Sequence, residues 1–129
     1  MVNVYPASKL RHSGKWLNLE NGQPNVKNVK MIARWPKLHV NGIPDNSPAL
    51  ANLFWKQDQA DVIRSDVVMV YAEPQDHLRG ALVEAGMGIA YGKTVIVIGD
   101  HPDYGSWQYH RQVIRAEDYA EAMTILRLW

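Results

Sequence analysis

The chain has no cysteine among its 129 residues and only one phenylalanine. Without cysteine there can be no disulfide framework, zinc ribbon, iron–sulfur cluster or cysteine nucleophile. A dominant charge is missing too. Fourteen Lys/Arg against thirteen Asp/Glu leave a net charge of +1, which by itself names no partner. No apolar run approaches the roughly 20 residues that a membrane-spanning helix needs. The opening MVNVYPASKLRH reads as a strand and its exit, not as a secretory signal. A cytoplasmic protein without a membrane partner is the expectation.

The chain does carry 47% hydrophobic residues, enough for a single core. Two domains of about 65 residues each would have marginal cores. Charge is uneven along the chain. Residues 1–60 hold eight Lys/Arg and three Asp/Glu, and residues 61–129 hold six and ten. A basic first half is compatible with a phosphate or a nucleic acid, but an ordinary solvated surface is the preferred reading. Nucleic acid is not expected as a partner.

The segments alternate between strand and helix patterns. Val2–Pro6 reads as a first strand, Ser8 to Glu20 as a helix and Val29–Trp35 as a second strand. Asn21 to Pro24 forms a turn cluster, and Pro36 to Pro48 reads as a long loop. Ser47-Pro48 supplies a capping hydroxyl and a proline for the first helical position, so a helix should run to about Ser65. DVVMVYA (66–72) and TVIVIG (94–99) are apolar enough to be strands buried on both faces. Between them lies a helix over Leu78–Tyr91. A short strand over Gln112–Arg115 and a helix over Glu117–Leu128 complete the chain. This order predicts one flavodoxin-like α/β domain over residues 1–129. Its parallel sheet has strand order 2-1-3-4-5, with helices on both faces. Ligands of such sheets bind beyond the carboxyl ends of the strands, where the order reverses. That directs attention to residues 5–11 and 72–84.

Several familiar motifs fail on context. Gly92-Lys93-Thr94 resembles the end of a phosphate-binding loop, but Met87 stands where its first glycine belongs, and the segment leaves a helix to open a strand. No G-x-S-x-G elbow supports a serine nucleophile. The five histidines lack the i, i+4 spacing of a helical zinc site, so neither a metal nor a cofactor is expected.

The informative stretch is Gly80 to Gly92, GALVEAGMGIAYG, in which Glu84 is the only charge. A carboxylate on so apolar a helix is either desolvated and functional, or turned outward to water. Asp58, Asp61 and Asp76 are candidate second carboxylates. The sequence does not choose between Asp58 and Asp61, which lie one helical turn apart. Trp35, Trp55, Trp107, Tyr71 and Tyr104 could stack on a base or fill the core. Ser8, Lys9 and Arg11 could hold a phosphate where the first strand ends.

Two runs, Asp58-x3-Val62-x2-Ser65-Asp66 through Tyr71 and Asp76-x3-Gly80-x3-Glu84-x-Gly86-x3-Ala90-x-Gly92-Lys93-x-Val95, resemble the nucleoside 2-deoxyribosyltransferase family and its nucleoside 5′-monophosphate N-glycosidase relatives. The Val2-to-Ser8 opening, with Tyr5, resembles the family's first strand. The resemblance implies N-glycosidic cleavage or transfer on a nucleoside or nucleotide. It makes Glu84 the nucleophile, Asp58 the residue that handles protons, and Tyr5 a neighbour of the nucleophile. Asp76 is the nearest candidate for an aspartate that contacts the sugar, and Gly80 falls within the substrate-binding motif. The resemblance also implies a homo-oligomer. Alternatives are hydrolysis of nucleoside 5′-monophosphates, a non-catalytic nucleotide-binding protein of the same fold, and a sheet-based assembly module.

Overall fold

The computed structural model describes residues 1–20, 28–38 and 47–129, with side chains at 18–20 left aside. Its strands are β1 (Val2–Ala7), β2 (Val29–Met31), β3 (Val67–Val70), β4 (Thr94–Ile98) and β5 (Val113–Ala116). Its helices are α1 (Ser13–Glu20), α2 (Trp35–Leu38), α3 (Pro48–Arg64), α4 (Gly80–Ala90) and α5 (Tyr119–Arg127). The five strands form one parallel sheet in the order β2-β1-β3-β4-β5. This is the α/β architecture and strand order that the sequence predicts.

The apolar runs explain the sheet. Every residue of β3 is buried, as are the last four of β4. Neighbouring residues of a strand point to opposite faces, so both faces are covered. Right-handed crossovers that run in opposite directions across a sheet place their helices on opposite sides. The crossovers through α3 and α4 run one way and the crossover through α1 runs the other. On the α1 side, Trp16 meets Tyr119 of α5 with ring centroids 6.4 Å apart.

Gly88 fixes how closely α4 approaches the sheet. A Cβ added there would sit 2.9 Å from Val68 Cγ2 and 3.1 Å from Val95 Cγ2. Both are stiff β-branched residues. Gly88→Ala should therefore lower stability by about 1–2 kcal/mol, the clash outweighing alanine's better helix propensity. Chemical denaturation checks this, and a midpoint at or above that of the wild type would refute it.

Most boundaries shift by one or two residues, and residues 36–38 belong to α2 rather than to the expected loop; the largest shifts are in the second strand and the first helix. The second strand stops at Met31 instead of continuing to Trp35. The Arg34 amide donates to Asp61 Oδ2 at 3.0 Å, and Trp35 Nε1 donates to the Pro6 carbonyl at 2.9 Å. These bonds draw the backbone off the sheet and into α2. The first helix starts at Ser13, after a single 3-10 turn over Leu10–His12. α3 begins as expected, with Ser47 Oγ accepting from the Leu50 amide and Pro48 in the first turn. The turn cluster at Asn21–Pro24 and most of the loop between Pro36 and Pro48 lie outside the described residues. No helix among the described residues is long and apolar enough to cross a membrane.

Candidate active site

A pocket of about 520 Å³ opens beyond the carboxyl end of β1. Three segments build it. Ser8, Lys9, Leu10 and Arg11 follow directly from β1; Ala51, Phe54, Trp55 and Asp58 come from α3; Arg79, Gly80, Ala81 and Glu84 come from the start of α4. Trp35 completes the lining. The α3 residues recur at i, i+3, i+4 and i+7, which puts them on one face of the helix. β1 lies between β2 and β3, so the pocket sits where the strand order reverses.

Glu84 is 6% exposed and faces this pocket from the second turn of α4. The Tyr5 hydroxyl, from the fully buried middle of β1, donates to Glu84 Oε2. Burial pushes the Glu84 carboxyl well above the usual carboxylate range. The hydroxyl works in the opposite direction, because a donor on the carboxylate favours the charged form.

The structure separates the two aspartates of α3. Asp61 is fully buried and saturated with donors. Arg34 gives it three guanidinium contacts, at 3.0, 3.2 and 2.8 Å, besides the backbone bond, and Arg64 Nη2 reaches Oδ1 at 2.5 Å. Burial raises the Asp61 carboxyl, but the Arg34 and Arg64 bonds more than offset this and hold it below its ordinary value. Asp58 has no such partners among the described residues and lines the pocket. Burial first, and the negative charge of Asp61 second, push it up to about 7, against an opposing pull from Arg34. Asp61 is thus a structural anchor, and Asp58 is the carboxyl that can exchange a proton near neutral pH.

The other predicted site residues divide. Ser8, Arg11, Gly80 and Trp35 line the pocket together with Glu84 and Asp58. The Ser8 hydroxyl accepts from Trp16 Nε1 at 2.8 Å and donates to the Lys9 carbonyl at 3.2 Å. Gly80 leaves room for Trp55, whose Cη2 lies 3.4 Å from where a Cβ would be.

Tyr71, Asp76 and Trp107 are not among the lining residues. The Tyr71 ring packs edge-on against His12 and Trp16, and its hydroxyl donates to Glu73 Oε2 at 2.8 Å. Trp107 packs edge-on against Tyr104, whose hydroxyl is spent on the Ile98 carbonyl. Asp76 is buried in a charged network with Arg11 and His12. Burial would raise its carboxyl, but the Glu73 amide, His12 and Arg11 together hold it at about 2.

The sequence reading did not include Ala51, Phe54 or Arg79 in the site. The first two were legible as the positions seven and four residues before Asp58. Arg79 immediately precedes the helix that carries Glu84.

No protein-family model matches the chain, and no curated protein matches it. Among solved structures, it is similar to the CMP N-glycosidase of Clostridium botulinum. The TM-score is 0.56 at 16% identity, covering 98% of this chain and 99% of that one. The two chains share a fold. The likeness runs across nearly the whole of both.

Proposed function

We propose that this protein cleaves the N-glycosidic bond of a nucleoside 5′-monophosphate, with Glu84 as nucleophile and Asp58 as proton donor. The observation that carries this reading is the convergence of two carboxyls on one pocket. They differ in surroundings, and one of them bears the Tyr5 hydroxyl. Paired carboxyls perform glycoside hydrolysis, one as nucleophile and the other as proton donor in the retaining case. A fold shared with an enzyme that acts on a nucleotide's N-glycosidic bond supports the choice of substrate, as does the sequence resemblance.

In the first step, a Glu84 carboxylate oxygen bonds to the anomeric carbon. The bond from that carbon to the base nitrogen breaks, and its electron pair leaves with the base. Asp58 supplies the proton that the departing base needs. Water then attacks the anomeric carbon and gives a proton to Asp58, and the ester to Glu84 breaks. A second base in place of water would give transfer. Charge developing on the sugar favours ionised Glu84 at the moment of reaction.

Lys9 and Arg79 have no carboxylate partner among the described residues and line the pocket. No side chain caps α4, and its first residues, Gly80 and Ala81, line the same pocket. Both features suit a phosphate. Trp35, Phe54 and Trp55 suit the flat face of a base. Exposed Leu53 and Ile63 on α3, Val83 on α4 and Tyr91 just past its end support a second copy of the chain as a partner.

The test is incubation with ribo- and deoxyribonucleosides and their 5′-monophosphates, following free base by chromatography, with and without an added acceptor base. Base release from a monophosphate is the expected result. A new nucleotide formed from the added base would assign transfer. No release from any member of the panel, by a folded sample that binds one of them, would leave a binding protein of this fold.

A further inference from the structure

Asp76 is placed by the sequence resemblance against the sugar, but its surroundings give it other work. Its side chain is 2% exposed. Oδ1 accepts from Arg11 Nε at 2.8 Å and lies 2.8 Å from Arg11 Nη2. Oδ2 meets His12 Nε2 at 2.9 Å and accepts from the Glu73 amide at 2.8 Å. A carboxylate offers about four acceptor sites; three hydrogen bonds and the close Nη2 approach engage both oxygens of Asp76. At 2% exposure it faces the protein rather than a ligand.

Arg11, by contrast, lines the pocket, and its side chain is 47% exposed. Its Nη2 also donates to Glu73 Oε1 at 2.9 Å. Two of its three nitrogens are therefore held, and Nη1 has no partner among the described residues. Glu73 is itself held by the Tyr71 hydroxyl. The guanidinium is a rigid plane, so fixing one edge fixes the direction of the rest.

We infer that Asp76 is a positioning residue: with Glu73 as a second arm, it fixes the Arg11 guanidinium so that Nη1 is free for an anionic group of the substrate. This rests on the nucleotide reading proposed above. The two carboxylates more than offset the charge of Arg11, so its contribution is direction. Lys9 and Arg79 supply the net positive charge. The same contacts tie the segment after β1 to the segment after β3. These segments lead into two walls of the pocket, 8–11 and 79–81.

A double-mutant cycle tests the inference. Cytidine 5′-monophosphate and inorganic phosphate are titrated calorimetrically into the wild type, Asp76→Asn, Arg11→Met and the double variant. Asp76→Asn should weaken the nucleotide about tenfold, which is about 1.4 kcal/mol, and Arg11→Met by a similar factor. The double variant should be no weaker than the worse single one. In turnover, Asp76→Asn should raise KM more than it lowers kcat.

Additive losses in the cycle would overturn the inference, because Asp76 would then act independently of Arg11. A fall in kcat with affinity unchanged would also overturn it, by placing Asp76 on the reacting sugar. So would a wild type that binds neither probe. If the wild type binds the nucleotide but releases no base, the catalytic reading fails while the cycle still decides the role of Asp76. Should Asp76→Asn not fold, Glu73→Gln replaces it. A smaller weakening that vanishes in the Arg11→Met background is then expected, and one that persists there would refute the inference.

Discussion

Glu84→Gln should reduce base release by at least about 10³-fold, roughly 4 kcal/mol of transition-state stabilisation, in a protein that still folds. The amide has the shape of the carboxyl and can still accept the Tyr5 hydroxyl bond, so the pocket keeps its form. What it loses is the oxygen able to bond to the anomeric carbon. Stability should hold or rise, because a neutral amide carries none of the cost of ionising a group that is 6% exposed. Circular dichroism and denaturation check the fold, and chromatography checks the reaction. Mass spectrometry of quenched wild-type enzyme should find a glycosyl adduct on the peptide containing Glu84. Activity retained in Glu84→Gln would sink the proposed chemistry. Activity lost together with the fold would call for Glu84→Ala before any conclusion.

Asp58→Asn should lower kcat by roughly 10²- to 10⁴-fold, the usual range for one proton-transferring group. Its pH signature is the sharper test. Burial and the charge of Asp61 push Asp58 up to about 7. Below that pH it holds the proton that the departing base requires, and above it the proton is gone. The rate on a base that needs protonation should therefore fall as pH rises through about 7. Glu84 must be ionised for the same step, so the rate should also fall on the acid side. The two carboxyls share a pocket, and the limbs of the profile belong to the pair. In Asp58→Asn the alkaline limb should disappear. A profile with its alkaline limb unchanged in that variant would remove Asp58 from the proton-donor role.

The fold was legible because its signals are local. Residues 66–72 and 94–99 are strands by their own composition, and the alternation with helices predicts the order of the sheet. Glu84 was legible for a similar reason, as one charge in thirteen residues. What the sequence did not show lies where a distant partner decides. Nothing near Asp58 and Asp61 says which is buried. The deciding residue is Arg34, 27 positions away, bonded through both its backbone and its guanidinium. Asp76 is occupied by Arg11 and His12, more than 60 positions earlier. Trp35 was expected in a strand because Val29 to Trp35 alternates, but its indole and the Arg34 amide find partners in β1 and α3 that end the strand at Met31.

Two of the five tryptophans, Trp35 and Trp55, line the pocket. They differ in what surrounds them. Trp35 is 4% exposed with its indole N–H bonded, whereas Trp55 is 36% exposed. The protein thus carries its own optical reporter of occupancy. A nucleobase seated beside Trp55 should shift and quench its emission, while Trp16, fully enclosed and bonded to Ser8, provides a steady background. Affinity can then be followed in unlabelled protein, including in Glu84→Gln, where the substrate stays intact during the measurement.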